Sequence, residues 1–342
     1  MNPSVDIIIP HFNGSAILLG CLASLKRTDY AAMKIFIVDN GSTDTSIQEA
    51  RTLYPEIEIL SSPENLGYAG GCNFGFEKTN SPYVVFLNND TEHSQDWLKH
   101  LVEKAQSDFK IGALQPKILS IQSIKQGKRV FDYAGAAGGL LDRLGYPYAY
   151  GRMFSHVESD SGQFNHVSKI FWASGTAMFA RRSALEKVGI FDTDFFAHME
   201  EIDVCWRLQL AGYKILAEPK SEVYHYGGAT LAAGSPQKVY LNHRNNVMML
   251  LKNLSTVNLF FIVPVRLLLE VLSIAFYLKK SGFEYAGCVV RGLVWNLKML
   301  FRNLRKRSAI QSFRIKSDSE IFQNLPFAKV LLSVAFRPSQ ST

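Results

Sequence analysis

Paired cysteines are what this chain most plainly lacks. Cys21, Cys72, Cys205 and Cys288 lie far apart in 342 residues with no C-x-x-C pair. That excludes a small disulfide framework and a zinc knot, and leads us to expect an intracellular, reducing setting. Met1–Pro10 has no basic n-region and an apolar run of only three isoleucines, which leads us to expect a strand there rather than a secretory leader. Glycine at 24 and proline at 12 are too few for low complexity, and 47% hydrophobic with 20% charged residues excludes a disordered or collagen-like chain. Acid is scarce at one end only: from Tyr240 onward there are 15 basic and 4 acidic residues, against 22 and 26 before it. The net +7 therefore belongs to the C-terminal part, while the length suggests a principal domain of about 200–250 residues with something appended.

The N-terminal half alternates apolar runs with helically spaced segments. Val5–Pro10 closes on a proline, and Ser15–Lys26 then carries Ile17, Leu18, Cys21, Leu22 and Leu25 at helical spacing. Strand-like Lys34–Asp39, Ile57–Leu60, Tyr83–Leu87 and Ile111–Leu114 flank helix-like Thr45–Tyr54, Tyr68–Lys78 and Asp96–Ser107. Strands this apolar predict an α/β fold whose parallel sheet is covered on both faces. Such sheets bind ligands beyond the carboxyl ends of their strands.

At those ends stand Asp39-Asn40-Gly41-Ser42-Thr43-Asp44 and Asn88-Asn89-Asp90-Thr91-Glu92. Each has an ordinary reading, an Asx turn around Gly41 for the first and a cap by Asp90 on a helix starting near Ser94 for the second. Between them Asn65-Leu66-Gly67-Tyr68-Ala69-Gly70-Gly71-Cys72-Asn73 is glycine-rich and opens a helix, which suits close approach to a phosphate or sugar. Its spacing matches neither a dinucleotide fingerprint nor a P-loop.

Taken in order, these stretches resemble the family 2 glycosyltransferases of GT-A (Rossmann-like) fold, in particular bacterial rhamnosyltransferase-like enzymes, over roughly Val5 to Lys252. The resemblance implies a nucleotide-sugar donor, with Asp39 near the base or ribose and Asn65, Gly67, Gly70 and Asn73 holding the nucleotide side, joined at the sheet edge by Pro10, Asn13 and Asn89. Asn88-Asn89-Asp90 stands where the family has an Asp-x-Asp metal motif, and with Asn88 in the first place Asp90 is left as the metal ligand.

The middle segment adds carboxylates. Lys169–Ala180 reads as a strand interrupted at Ser174-Gly175, and from Glu201 a helical pattern runs to Gly212. Glu200, Glu201 and Asp203 thus crowd a helix N-terminus, which a helix dipole alone would accommodate. Apolar and aromatic neighbours suggest instead a partly buried pair, one of which has a pKa high enough for a general base. The segment looks like the family's Glu-Asp-x-Asp-Leu-x-x-Arg motif, implying Glu201 as the base with Glu200 beside it, the choice between them open. His225 lies in a stretch similar to the family's His-x-x-Gly element, implying a divalent cation, Mn²⁺ or Mg²⁺, held with Asp90. Arg244 either touches the diphosphate or begins the basic region.

From Met248 to Phe301 the chain is rich in Leu, Phe, Val and Ile, and Leu259–Leu278 contains only Arg266 and Glu270 as charges. That length suits a membrane span, but Pro264 and the central charges favour a helix lying on an anionic membrane surface, or packing on the main domain or in a homodimer. Basic residues interleaved with aliphatics give no stacking platform for nucleic acid. The expected organisation is residues 1–240 as the catalytic domain, 241–310 as a membrane-associating helical region and 311–342 as a tail. The expected activity is inverting, metal-dependent transfer of a sugar, L-rhamnose from dTDP-rhamnose by branch analogy, to a lipid-linked or polysaccharide acceptor at the inner face of the cell membrane. A non-catalytic scaffold and a sugar-1-phosphate nucleotidyltransferase are the alternatives; the latter lacks a basic loop after the first strand.

Overall fold

The apolar runs become strands and the periodic segments between them helices in a computed structural model that describes residues 2–153, 156–227 and 234–335. The first half contains β1 (Val5–His11), α1 (Ser15–Leu25), β2 (Met33–Asp39), α2 (Ser46–Leu53), β3 (Glu58–Ser61), α3 (Gly67–Glu77) and β4 (Tyr83–Leu87). These four strands pair in parallel in the order β4, β1, β2, β3. Along β1, Val5, Ile7 and Ile9 bury against α1 and α4 (Trp97–Gln106), while Ile8 buries on the opposite face with α3. Period-two alternation with apolar residues on both faces is what a doubly covered sheet requires.

Between β4 and α4 lies the short β5 (Thr91–His93), where a helix start capped by Asp90 was the ordinary expectation; α4 begins later, at Trp97. The strand β6 (Ile111–Ser120) runs six residues past the expected Leu114, through Pro116. Its extra length carries buried Gln115 and Lys117, polar residues that hide a strand from a hydrophobic pattern. After α5 (Ile121–Lys125), a small four-stranded sheet forms from β7 (Gly139–Leu141), β8 (Pro147–Ala149), β9 (Arg152–Met153) and β10 (His156–Val157). Then follow β11 (Ser168–Lys169), β12 (Ala177–Arg181), α6 (Arg182–Val188), a 3₁₀ turn at Thr193–Phe195, α7 (Glu200–Leu210) and β13 (Lys214–His225). In the main sheet β12 lies antiparallel between β4 and β6, and β13 is parallel to β6, so the sheet is mixed rather than wholly parallel.

The last helices are α8 (Pro236–Asn253), α9 (Thr256–Lys280), α10 (Phe283–Lys298), α11 (Leu300–Ser312), α12 (Asp318–Ile321) and α13 (Lys329–Ala335). The boundary expected between residues 240 and 241 falls inside α8. That helix buries Met248, Met249 and Leu250 in the main core, and its Lys252 and Asn253 reach Asp203 of α7 at 3.1 and 2.7 Å. Arg207 holds the same carboxylate at 2.9 Å. Lys306 bonds Asp192 and Asp194 at 2.5 Å, and Arg302 bonds Asp194 at 2.7 Å. Part of the basic excess therefore clamps the C-terminal helices to the domain.

In α9 the two charges point inward. Arg266 and Glu270 are buried and paired at 3.1 Å, with the guanidinium 3.7 Å above the Tyr146 ring and Glu270 also bonded to His243 of α8. The outer face shows Val257, Phe260, Phe261, Leu268, Val271, Leu272 and Phe276. By length and composition α9 could cross a membrane.

Candidate active site

Strand pairing assembles the first part of the site. In the β5–β13 ladder His225 lies opposite Thr91, and Tyr226 N–H donates to the Asp90 carbonyl at 3.0 Å. That register places His225 Nε2 3.2 Å from Asp90 Oδ1, while Nδ1 lies 2.8 Å from Asp132 Oδ1. All three side chains are buried, and Asp90 Oδ1 makes no hydrogen bond of good geometry. Asp90 Oδ1 and His225 Nε2, an ion pair when the imidazole is protonated, also have the spacing of adjacent ligands on an octahedral cation with bonds of ~2.1 Å. Asp132 takes the place of an outer-shell carboxylate that orients the imidazole. Burial pulls the His225 pKa down, but hydrogen bonds and charge from Asp132 and Asp90 outweigh it and push it up to about 10. Among the described residues no three acid, His or Cys side chains converge on one point, so a cation here would keep open positions. Gly228–Thr230, the end of the His-x-x-Gly stretch, lie outside the described residues.

The second part is the entrance to α7. Phe196, His198 and Met199 hold φ of 61°, 69° and 75°, a left-handed conformation that costs a non-glycine residue of order 1–2 kcal/mol. Surrounding groups hold that run in place. Asn245 Nδ2 donates to the carbonyls of Phe195, Ala197 and His198 at 3.1, 2.9 and 2.7 Å, and Arg244 Nη2 donates to those of Asp194 and Phe195. The N–H of Tyr68, at the start of α3, donates to the Phe196 carbonyl at 3.1 Å. Gly67, at φ 69°, permits that approach, since a Cβ there would lie 2.8 Å from the Phe196 oxygen. The chain then enters α7 without a side-chain cap, and Glu200 and Glu201 each leave one carboxylate oxygen buried and unbonded. Burial and the neighbouring Glu201 charge raise Glu200 well above the usual carboxylate range. Burial also raises Glu201, against the pull of backbone N–H groups at the helix start, to about 7.

Both parts face one cavity of about 370 Å³, the size of a small-molecule site. Asn88, Asp90, Asp132 and His225 line it together with Glu200 and Glu201. The other expected donor residues fall along the neighbouring sheet edge. His11 pairs with Asp39, whose Oδ1 accepts from Ser42 N–H at 2.8 Å, and Asn13 accepts from Thr43 N–H at 2.8 Å, tying the loops after β1 and β2. Asn65 accepts from Gly67 N–H at 2.9 Å, and Asn89 contacts His11 at 2.7 Å. Pro10 sits under Gly71, where a Cβ would lie 3.2 Å from it, and a Cβ on Gly70 would lie 2.8 Å from Leu66. Asn73 exchanges hydrogen bonds with the Phe191 backbone, and Arg244 turns away to the α7 entrance and Trp295, so neither lines the cavity.

Sequence reasoning missed Asp132, His198, Tyr133, Arg152 and Lys238, which also line the cavity. It missed Asn245 as well, although the adjacent Arg244 marked the segment. No spacing pattern announces the others.

A profile described as Glycosyl transferase family 2 matches residues 6–189, more than half of the chain. The chain belongs to glycosyl transferase family 2. This glycosyltransferase is 26% identical over 253 residues to the poly-β-1,6-N-acetyl-D-glucosamine synthase of Staphylococcus aureus, covering 70% of this chain and 56% of that one. It therefore spans little more than half the length of that relative. It is also 26% identical over 241 residues to the N-acetylglucosaminyl-diphospho-decaprenol L-rhamnosyltransferase of Mycobacterium tuberculosis, covering 67% of this chain and 78% of the other. The crystal structure of GalNAc-T7 with UDP, GalNAc and Mn²⁺ superposes with a TM-score of 0.64 at 14% identity, over 97% of this chain and 57% of that one. That likeness establishes the GT-A fold of the family 2 domain.

Proposed function

We propose that this family 2 glycosyltransferase is an inverting enzyme that moves a sugar from a nucleotide-sugar donor to a hydroxyl of a lipid-linked or polysaccharide acceptor, with a divalent cation, at the inner face of the cell membrane. The observation that carries the reading is the meeting, in one cavity, of a raised carboxyl pair with the convergent Asp90 and His225. Asp90 and His225 would hold Mn²⁺ or Mg²⁺, which when bound offsets the charge of a donor diphosphate. Asp39, Asn13 and Asn65, at the adjacent strand ends, would take the nucleoside. Glu201 accepts the proton of the acceptor hydroxyl as its oxygen bonds to the anomeric carbon. The bond from that carbon to the diphosphate breaks, and the nucleoside diphosphate leaves with the electron pair. Glu200, held protonated by burial and by its neighbour's charge, keeps the pair at a single negative charge.

The names of the two relatives support a glycan acceptor, one of them carried on a polyprenyl diphosphate, and make dTDP-L-rhamnose the first donor to try beside UDP- and GDP-sugars. The exposed apolar face of α9, with Lys279 and Lys280 at its end, supports attachment to an anionic bilayer. Calorimetric titration with dTDP or UDP tests the cation. Binding should be at least tenfold tighter in Mn²⁺ than in EDTA, and Asp90→Asn should erase the difference. Equal affinity in both buffers would refute the metal assignment.

A further inference from the structure

Arg152 is only 9% exposed, yet among the described residues it pairs with no carboxylate, and its Nε meets no acceptor. The other buried arginines are all held. Arg207 reaches Asp203, Arg266 reaches Glu270, Arg244 reaches the Asp194 and Phe195 carbonyls, and Arg307 reaches the Leu254 carbonyl. A guanidinium does not lose its proton, so a buried one with no carboxylate paired to it is suited to an anion that arrives from outside. Arg152 lies with its guanidinium 4.6 Å above the ring of Tyr133, and Nζ of Lys238, in the first turn of α8, lies 5.6 Å from the same ring. All three residues line the cavity that holds Glu200 and Glu201.

Two anions would enter that cavity in a transfer to a lipid-linked glycan, the donor's diphosphate and the acceptor's. Asp90 and His225 Nε2 provide for the first. Asp132, which holds the other nitrogen of the same imidazole, lines the cavity together with Arg152. Pro147, Met153 and Val330 line the cavity as well, an apolar wall suited to the start of an alkyl chain.

We propose that Arg152, Tyr133 and Lys238 form an anion subsite that takes a phosphate or diphosphate carried by the acceptor, the arginine gripping two oxygens and the lysine acting as a point charge. This rests on the reading of the chain as a transferase acting on a lipid-linked glycan. The test has three arms run on wild type, Arg152→Gln, Arg152→Lys and Lys238→Gln: binding of inorganic pyrophosphate in EDTA, binding of donor nucleotide in Mn²⁺, and KM for a sugar on a short prenyl diphosphate relative to the same sugar as a neutral alkyl glycoside. Arg152→Gln should weaken pyrophosphate binding at least tenfold and raise the KM ratio about tenfold. Arg152→Lys should recover part of both, Lys238→Gln should show a smaller loss, and nucleotide binding should stay as in wild type. Nucleotide binding that falls in step with pyrophosphate would assign the cations to the donor and overturn the proposal. An unchanged KM ratio in Arg152→Gln and Lys238→Gln would also overturn it, leaving the transferase reading intact. If no donor is turned over but pyrophosphate binding still depends on Arg152, the transferase reading fails while the anion site stands.

Discussion

Glu200 is 4% exposed and its neighbour Glu201 opens onto the cavity from the same turn, so ionising both would set two charges side by side in a site with little water. Burial raises both groups, the Glu201 charge adding to it at Glu200, and it brings Glu201 to about 7. A carboxyl raised in this way is a base only above its own pKa. Transfer at saturating donor and Mn²⁺ should therefore climb as pH rises through about 7 and level off above it, which a kcat profile from acid to mildly alkaline pH would show. A profile already flat across that range would remove Glu201 from the role of base. Much of this was legible in the sequence, because Asp90, His225 and the Glu pair sit in ordered motifs at strand and helix ends, and the structure brings all four to the same cavity. Asp132 and Arg152 were not legible. They reach the site from the segment after β6 and from the small sheet, and only tertiary packing sets their distances.

At the scale of elements, the entrance to α7 depends on α8. Phe196, His198 and Met199, none of them glycine, stay in place at positive φ because one amide, that of Asn245, bonds the carbonyls of Phe195, Ala197 and His198. Asn245→Ala leaves the Ala197 and His198 carbonyls without this donor, at about 1–3 kcal/mol for a buried polar group left unsatisfied, and lets the Glu pair drift. Its expected effect is a loss of kcat of tenfold or more, with nucleotide affinity near wild type. Loss of nucleotide affinity in equal measure would show that α8 supports the fold at large rather than this entrance. Helix α8 was itself half hidden in the sequence. A change in charge balance at Tyr240 suggested a boundary, whereas its apolar residues continue into the core. The strand at β12 was legible but its antiparallel sense was not, since an apolar run reads the same in either direction.

For the molecule as a whole, α9 reverses the usual order of a surface helix, with Arg266 and Glu270 inside and Phe260, Phe261, Leu268 and Phe276 outside. Glu270 ties α9 to His243 of α8, and ion pairs from Arg302 and Lys306 fix α11 to Asp192 and Asp194, so the apolar face is held against the main domain rather than on a tether. The protein should sediment with anionic vesicles, and salt should weaken but not abolish binding, because screening removes the charge attraction and leaves apolar burial. Phe260→Asp with Leu268→Asp should release it from vesicles while nucleotide binding stays unchanged; undiminished sedimentation of that double variant would show that the face meets something other than lipid.

The central claim is that sugar transfer at this cavity uses a carboxylate of the α7 entrance as base while Asp90 and His225 serve the donor. The most direct test is single-turnover transfer by Glu201→Gln, with donor binding measured on the same preparation. On this reading donor affinity should stay near wild type while transfer slows by something like 10²–10⁴-fold, as for other lost general bases, with a smaller loss in Glu200→Gln. Transfer at the wild-type rate in Glu201→Gln, Glu200→Gln and the double variant would contradict it.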